Sequence, residues 1–220
     1  MSDDGERGRR WLVEELGCDT GALAGLQAFI AILRAENARQ NLVAKADLDH
    51  LWWRHVVDSA QLSAVSRGTQ IGNGPWLDLG TGAGFPGLVV ALLDRARPVV
   101  LVEERRRRAE WLKHAAVELG LGQVTVHGCP LARVATFPAA AISARAFAPL
   151  PRLLDLAARF STPQTLWLLP KGEKARQEQR ELPEHQRAMF HVEPSVTSAA
   201  AGLIVGRGRV VPRSAGARGC

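Results

Sequence analysis

The pattern of apolar positions divides the chain into two unlike parts. In the first, Leu23, Leu26, Ile30 and Leu33 recur at three- and four-residue steps, the spacing of a helix with one buried face. Asp19-Thr20 stands just before that stripe and offers a capping side chain. A second stripe runs through Leu48, Leu51, Trp52, Val56 and Leu62, with Asp47 as its expected cap. From Trp76 onward the period changes. Trp76-Leu77-Asp78-Leu79, Val99-Val100-Leu101-Val102, Val124-Thr125-Val126 and the runs at 139–143 and 165–169 are short and apolar, as buried strands are. Helical spacing returns between them at 86–94, again through Leu119, and around 150–160. Such alternation predicts parallel strands joined by right-handed crossovers, a doubly wound α/β sheet. Two last runs, Met189 to Val192 and Leu203 to Val205, have no helix between them and predict an antiparallel closing pair. The expected organisation is a helical extension over 1–70, an α/β core over 71–210 and a basic tail over 211–220.

Composition narrows the function classes. The 220 residues are 46% hydrophobic, enough for one core domain with an extension. The polar, acidic start and apolar runs no longer than residues 88–93 predict a cytoplasmic protein with no leader and no membrane span. Cys18, Cys129 and Cys220 lie far apart without a CxxC pair, so neither a disulfide framework nor a metal site is expected. Lys+Arg number 28 against 22 Asp+Glu, a net charge of +6, which favours polyanionic partners.

The strongest chemical signal is Asp78-Leu79-Gly80-Thr81-Gly82-Ala83-Gly84-Phe85-Pro86-Gly87. Glycines at a strand-to-helix turn let the backbone approach a ligand and take dihedrals closed to other residues. A ligand is therefore expected at the strand's carboxyl end. From Gly82 the run also fits the dinucleotide pattern G-x-G-x-x-G, so an NAD(P)-dependent oxidoreductase is the rival. Asp78 argues for S-adenosylmethionine instead, since a carboxylate there suits a cationic amino acid moiety and repels a pyrophosphate. Glu103, about twenty residues on, suits a ribose hydroxyl in either case.

Taken in order, Asn37 to Asn41-Leu42, Arg54-His55-Val56-Val57-Asp58-Ser59, the glycine loop, Ala144-Arg145-Ala146-Phe147 and Pro170-Lys171-Gly172 resemble one family. It is the bacterial 16S ribosomal RNA guanine-N7 methyltransferases, known as RsmG or glucose-inhibited division protein B, and the resemblance spans roughly residues 20–210. It implies a class I (Rossmann-like) methyltransferase fold with a seven-stranded, mostly parallel sheet. The implied cofactor is S-adenosylmethionine, the partner 16S rRNA of the 30S subunit, and the target N7 of the guanine at position 527 in the 530 loop. Cofactor contacts are implied at Gly80, Phe85 and Arg145, with Glu103 at the ribose and Asp78, Gly82 and Gly84 completing the loop. The family's hydrophobic-acidic pair at the adenine falls on Leu131-Ala132, or with a gap on Val134-Ala135, and neither pair carries the acid.

Several residues have both a functional and a bland reading. His55 and Asp58 share a helix face; they are either a surface pair or part of the active-site rim, which the resemblance favours. Arg145 follows the fourth strand, where the target base enters in this fold, and Lys171 follows the fifth; both are expected to position substrate. An Asn/Asp-Pro-Pro-aromatic sequence, which an exocyclic-amine methyltransferase needs at Arg145, is absent. Cys129 lies on the preceding loop and is read as structural rather than as a cytosine-C5 nucleophile. Four arginines, Arg105 to Arg108, open a helix against its dipole and are either a solvated run or a phosphate-binding patch. Guanine N7 has a free lone pair at neutral pH, so no general base is required. A non-catalytic RNA-binding or ribosome-assembly protein on the same fold is the remaining alternative.

Overall fold

A computed structural model describes residues 3–69 and 71–212; the basic tail expected over 211–220 lies, from 213 on, outside the described residues. Seven strands form one sheet: β1 (Trp76–Leu79), β2 (Val99–Val102), β3 (Val124–His127), β4 (Ala141–Ala144), β5 (Leu166–Lys171), β6 (Phe190–Pro194) and β7 (Gly202–Arg207). Their order is β3-β2-β1-β4-β5-β7-β6. The first five are parallel, and β7 runs antiparallel to both β5 and β6. Each expected strand is present, and the closing pair is antiparallel as the missing helix implied.

The chain order reverses direction between β1 and β4, where crossovers leave to opposite sides and open a crevice at the strands' carboxyl ends. Both loops that leave these strands, after Leu79 and after Ala144, meet in that crevice.

Before the sheet come α1 (Asp3–Leu16), α2 (Thr20–Asn37) and α3 (Asp58–Gly68). Asp19 caps α2 as expected, accepting from the Ala22 N–H at 2.7 Å. The polar start hides a helix that the sequence reading lacks. In α1 only Leu12 and Leu16 among the large apolar residues are fully buried, too short a stripe to stand out. The second stripe also differs from expectation. Instead of one helix capped by Asp47, a 3₁₀ turn (Lys45–His50) and a π-helical turn (Trp52–Val57) lead into α3. Asp4 of α1 takes the N–H groups of Trp52 and Trp53 at 3.0 and 3.3 Å, so Asp47 is released from capping and receives Arg54 at 2.6 Å.

Between strands lie α4 (Gly87–Leu93), α5 (Arg106–Glu118) and α6 (Leu150–Ala157), and after β5 two short helices, α7 (Ala175–Arg180) and α8 (Glu184–Arg187). Side chains alternate across β1: Trp76 joins the core with Leu26, Phe29, Leu33, Val56 and Leu88, while Leu77 and Leu79 pack with Ile142, Leu154 and Trp167 on the other face. The N-terminal helices therefore share a core with one sheet face, which fixes their position relative to the crevice. Leu23 and Leu48 sit at the margin of that core, half-buried.

Candidate active site

Asp78 anchors the glycine loop from below. It is wholly buried and pairs in register with Ser143 of β4. The Ser143 hydroxyl donates to Oδ1 at 2.6 Å, and the Gly87 N–H donates to Oδ2 at 3.1 Å. Trp76 Nε1 in turn donates to Ser143 Oγ at 2.8 Å. One carboxylate thus ties β1, β4 and the start of α4 together. Burial pushes its pKa up to about 6, against the hydrogen bonds from Ser143, Thr81 and Gly87 that lower it. A Cβ on Gly87 would stand 2.3 Å from Leu101 and 2.8 Å from Asp78 Oδ2, so only glycine lets this joint close.

Above Asp78 the loop turns through Gly80, Gly82 and Gly84, at φ 66°, 59° and 113°. Gly80 lies flat against the Phe147 ring, where a Cβ would come within 2.6 Å. Gly84 does the same against Leu88 and Phe29. Glu103, at the end of β2, is buried and accepts the Gly82 N–H at 3.0 Å and the Arg105 N–H at 2.9 Å. Trp111 Nε1 holds the Ala83 carbonyl at 3.0 Å. These contacts preorganise the loop along a cavity of about 450 Å³. Gly80, Glu103, Leu131, Ala132, Ala146 and Phe147 line it, with Arg105, Arg108 and Arg152 at its margin.

A second cavity of about 440 Å³ opens on the other side of Ala146, lined by Asp58, Gln61, Arg145, Lys171 and Glu173 among others. Arg145 organises it. Its guanidinium donates to His55 Nδ1 at 2.9 Å and to Asp58 Oδ2 at 3.3 Å, and lies over the Phe85 ring at 5.2 Å. His55 stacks on the same ring at 5.0 Å. Asp58 Oδ1 also accepts from Gln61 and from the Thr197 hydroxyl, each at 2.9 Å. Because an arginine only donates, His55 Nδ1 is an acceptor and its proton sits on Nε2, which is buried and 3.6 Å from Asp47. Burial, reinforced by the Arg145 charge, pushes the His55 pKa down to about 4. The ring is neutral at physiological pH.

The structure sorts the expected site residues into three groups. Gly80, Glu103, Leu131 and Ala132 line the first cavity. Arg145, Asp58 and Lys171 line the second. Asp78, Phe85 and His55 line neither and act as supports. Two of these placements differ from what the motif suggested. Both oxygens of the buried Asp78 carboxylate accept hydrogen bonds inside the fold. Phe85, only 2% exposed, is the base on which His55 and Arg145 rest. Gly82 and Gly84 likewise serve the loop's shape. Lys171 is more committed than expected: its amine donates to the Ala148 carbonyl at 3.0 Å and to Glu178 at 2.9 Å. Ser143, Gln61, Glu178 and Thr197 were missed, since isolated polar residues at these spacings carry no signal until the fold assembles them. Only Ser143 had a trace, as a polar position within an otherwise apolar strand.

The family model described as GidB, rRNA small subunit methyltransferase G, matches residues 22–203. A Ribosomal RNA small subunit methyltransferase G from Sphingopyxis alaskensis is 52% identical over 213 residues, covering 97% of this chain and 90% of its own. One from Novosphingobium aromaticivorans is 56% identical, covering 90% of this chain and 85% of its own. The chain belongs to the rRNA small subunit methyltransferase G family. Solved structures agree on the fold. A Corynebacterium glutamicum protein superposes with TM-score 0.57 at 16% identity over 92% of this chain and 96% of its own. MtNAS, solved with S-adenosylmethionine, gives 0.56 at 14% over 81% and 72%.

As a member of this methyltransferase G family, the protein is an S-adenosylmethionine-dependent rRNA methyltransferase on a class I fold. The first cavity suits that cofactor. Its volume fits a small ligand of nucleoside size, Gly80 presents backbone without a side chain, and Glu103 supplies a carboxylate beside the loop. Leu131 is buried and Ala132 exposed, and no acid adjoins them in the sequence. Val134-Ala135, the gapped alternative, does not line the cavity.

Proposed function

We propose that the protein methylates N7 of one guanine, at position 527 in the 530 loop of 16S rRNA, acting on the 30S subunit in the cytoplasm. The observation that carries this reading is the pair of cavities meeting at Ala146, one on the glycine-loop side and one on the Arg145 side. A cofactor in the first and a base in the second would face each other across a single residue. Gly80, Glu103, Leu131 and Ala132 would hold S-adenosylmethionine. When bound, this group supplies a methyl carbon whose bond to sulfur breaks, the pair returning to sulfur, as a nucleophile's lone pair bonds to it.

The chain's own residues then need only bind, orient and exclude water. Their protonation fits an acceptor with no proton to lose. His55 is neutral and its Nδ1 is occupied by Arg145, while Asp58 accepts from three side chains. Neither is free as a general base, and N7, unlike an exocyclic amine, needs none. Arg145 and Lys171 are positioning residues: Arg145 fixes the face of the second cavity, and Lys171 fixes the loop after β4 through Ala148.

The test is methyl transfer from radiolabelled S-adenosylmethionine to 30S subunits lacking their own N7-methylguanosine, with the modified base mapped. Label on one guanine of the 530 loop is the expected result. Label at another base or another atom would overturn the target assignment. Cofactor binding without label would point to another rRNA or another assembly state as the substrate.

A further inference from the structure

Ala146 is the one non-glycine residue with positive φ among the described residues, at 53°. For an alanine this conformation costs roughly 1–2 kcal/mol and persists only where the surroundings impose it. Here they do so from both sides. Arg145 is held by His55 and Asp58. Ala148 is held through its carbonyl by Lys171, and the Leu150 N–H donates to Glu178 at 2.8 Å. The main chain at the turn itself is left open: among the described residues, nothing accepts the N–H of Ala146 or of Phe147. Two successive free N–H groups in a left-handed turn make a compact donor pair. Both residues line the first cavity, and Ala146 lines the second as well. Of the cationic side chains that line the second cavity, Arg145 and Lys171 are already engaged, and Lys174 is exposed.

We infer that the Ala146 N–H group, at the residue shared by the two cavities, selects guanine by donating to O6 of the target base. This rests on the reading of the second cavity as the place of the target guanine. Guanine presents two neighbouring acceptors, O6 and N7, on the edge where adenine presents an amino donor beside N7. A fixed N–H at the O6 position engages guanine and leaves N7 free for transfer. With adenine it would face another donor, leaving a desolvated group unpaired. The braced left-handed turn gives this donor a fixed place, so selection rests on the backbone and escapes any search for a polar side chain.

The experiment uses 30S subunits reconstituted with ligated 16S rRNA carrying guanine, 2-aminopurine (O6 absent) or 2,6-diaminopurine (O6 replaced by an amine) at the target position. Transfer rates are normalised by each base's N7 reactivity toward dimethyl sulfate. Relative to guanine, the 2-aminopurine rate is expected to fall roughly 10- to 100-fold, and the diaminopurine rate at least as far. A normalised rate within about threefold of guanine for 2-aminopurine would overturn the inference, because a lost hydrogen bond costs more than that. A β-branched side chain strains the turn, so Ala146→Val is expected to slow guanine and shrink the guanine to 2-aminopurine ratio toward unity. Its S-adenosylhomocysteine affinity and circular dichroism report whether it folds; if it folds and keeps the full ratio, the turn is not the selector. If it does not fold, the base series on the unaltered protein decides. An unmethylated guanine control would instead sink the proposed function, and this inference with it.

Discussion

The two cavities that meet at Ala146 are built in opposite ways. On the glycine-loop side the supports are near in sequence: Asp78 holds Gly87, nine residues on, and Glu103 holds Gly82, 21 residues back. On the other side the partners of Arg145 itself are remote, His55 at 90 residues and Asp58 at 87, with Thr197 reaching Asp58 across 139. The turn on one side is a motif that a short stretch of chain specifies, although Ser143 of β4 also holds Asp78. The other exists only when the N-terminal helices, the loop after β4 and the loop before β7 are packed together. Their electrostatics also run in opposite directions, since burial acts on an acid on one side and on a base on the other.

The largest expected effect falls on the remote side. Arg145→Ala removes the donor shared by His55 and Asp58, and methyl transfer should drop roughly 10²- to 10³-fold, the scale of a lost positioning group. The protein should remain folded, because Asp58 keeps Gln61 and Thr197. Full retained activity in the transfer assay would refute the role.

The opposed pKa shifts give the next effect. His55 falls from 6.5 to about 4, so between these values the unfolded chain binds more protons and His55 adds stability as pH rises. Asp78 rises from 3.8 to about 6, so the folded chain binds more protons and stability is lost as pH rises through that window. Each swing is on the order of 3 kcal/mol, and the two largely cancel between about pH 4 and 6. His55→Asn should therefore lose stability as pH rises across this window, and Asp78→Asn should gain it. Urea titrations at several pH values check this; parallel slopes in both variants would break the comparison.

Lys171→Met tests whether this residue is a brace or a direct substrate contact. It strips the Ala148 carbonyl and Glu178 of a buried donor, so a loss of about 1–3 kcal/mol is expected by denaturation. Unchanged stability with lost methylation would place the amine on the substrate instead. The smallest effect belongs to the arginine run. Arg107 is exposed and no acid lies in the first turn of α5, whereas Arg106 is paired with Glu110 at 2.8 Å. Arg107→Glu should weaken rRNA binding a few-fold and reduce the salt slope by about one. An unaltered slope would make the run a solvated face.

Which parts of this molecule were legible without the fold follows from the range of the interactions. Apolar periodicity decided the seven strands, the helices that follow β1, β2 and β4, and the antiparallel end, because burial on one face is written into local spacing; the two short helices after β5 carry no such stripe. The glycine loop and Glu103 were equally plain, since a turn that needs positive φ names its own residues. Tertiary structure decided the rest. Asp4, from a helix with only a short apolar stripe, took the capping that Asp47 was expected to provide, and so left Asp47 facing Arg54 and His55. Asp78, expected to meet a ligand, was turned inward by its register with Ser143, a pairing that no local pattern encodes. Arg145 found His55 and Asp58 because the N-terminal helices share a core with the sheet. Hydrophobic spacing acts over a few residues and can be read along the chain. Hydrogen bonds between distant polar groups depend on where packing brings them, and only the folded chain settles that.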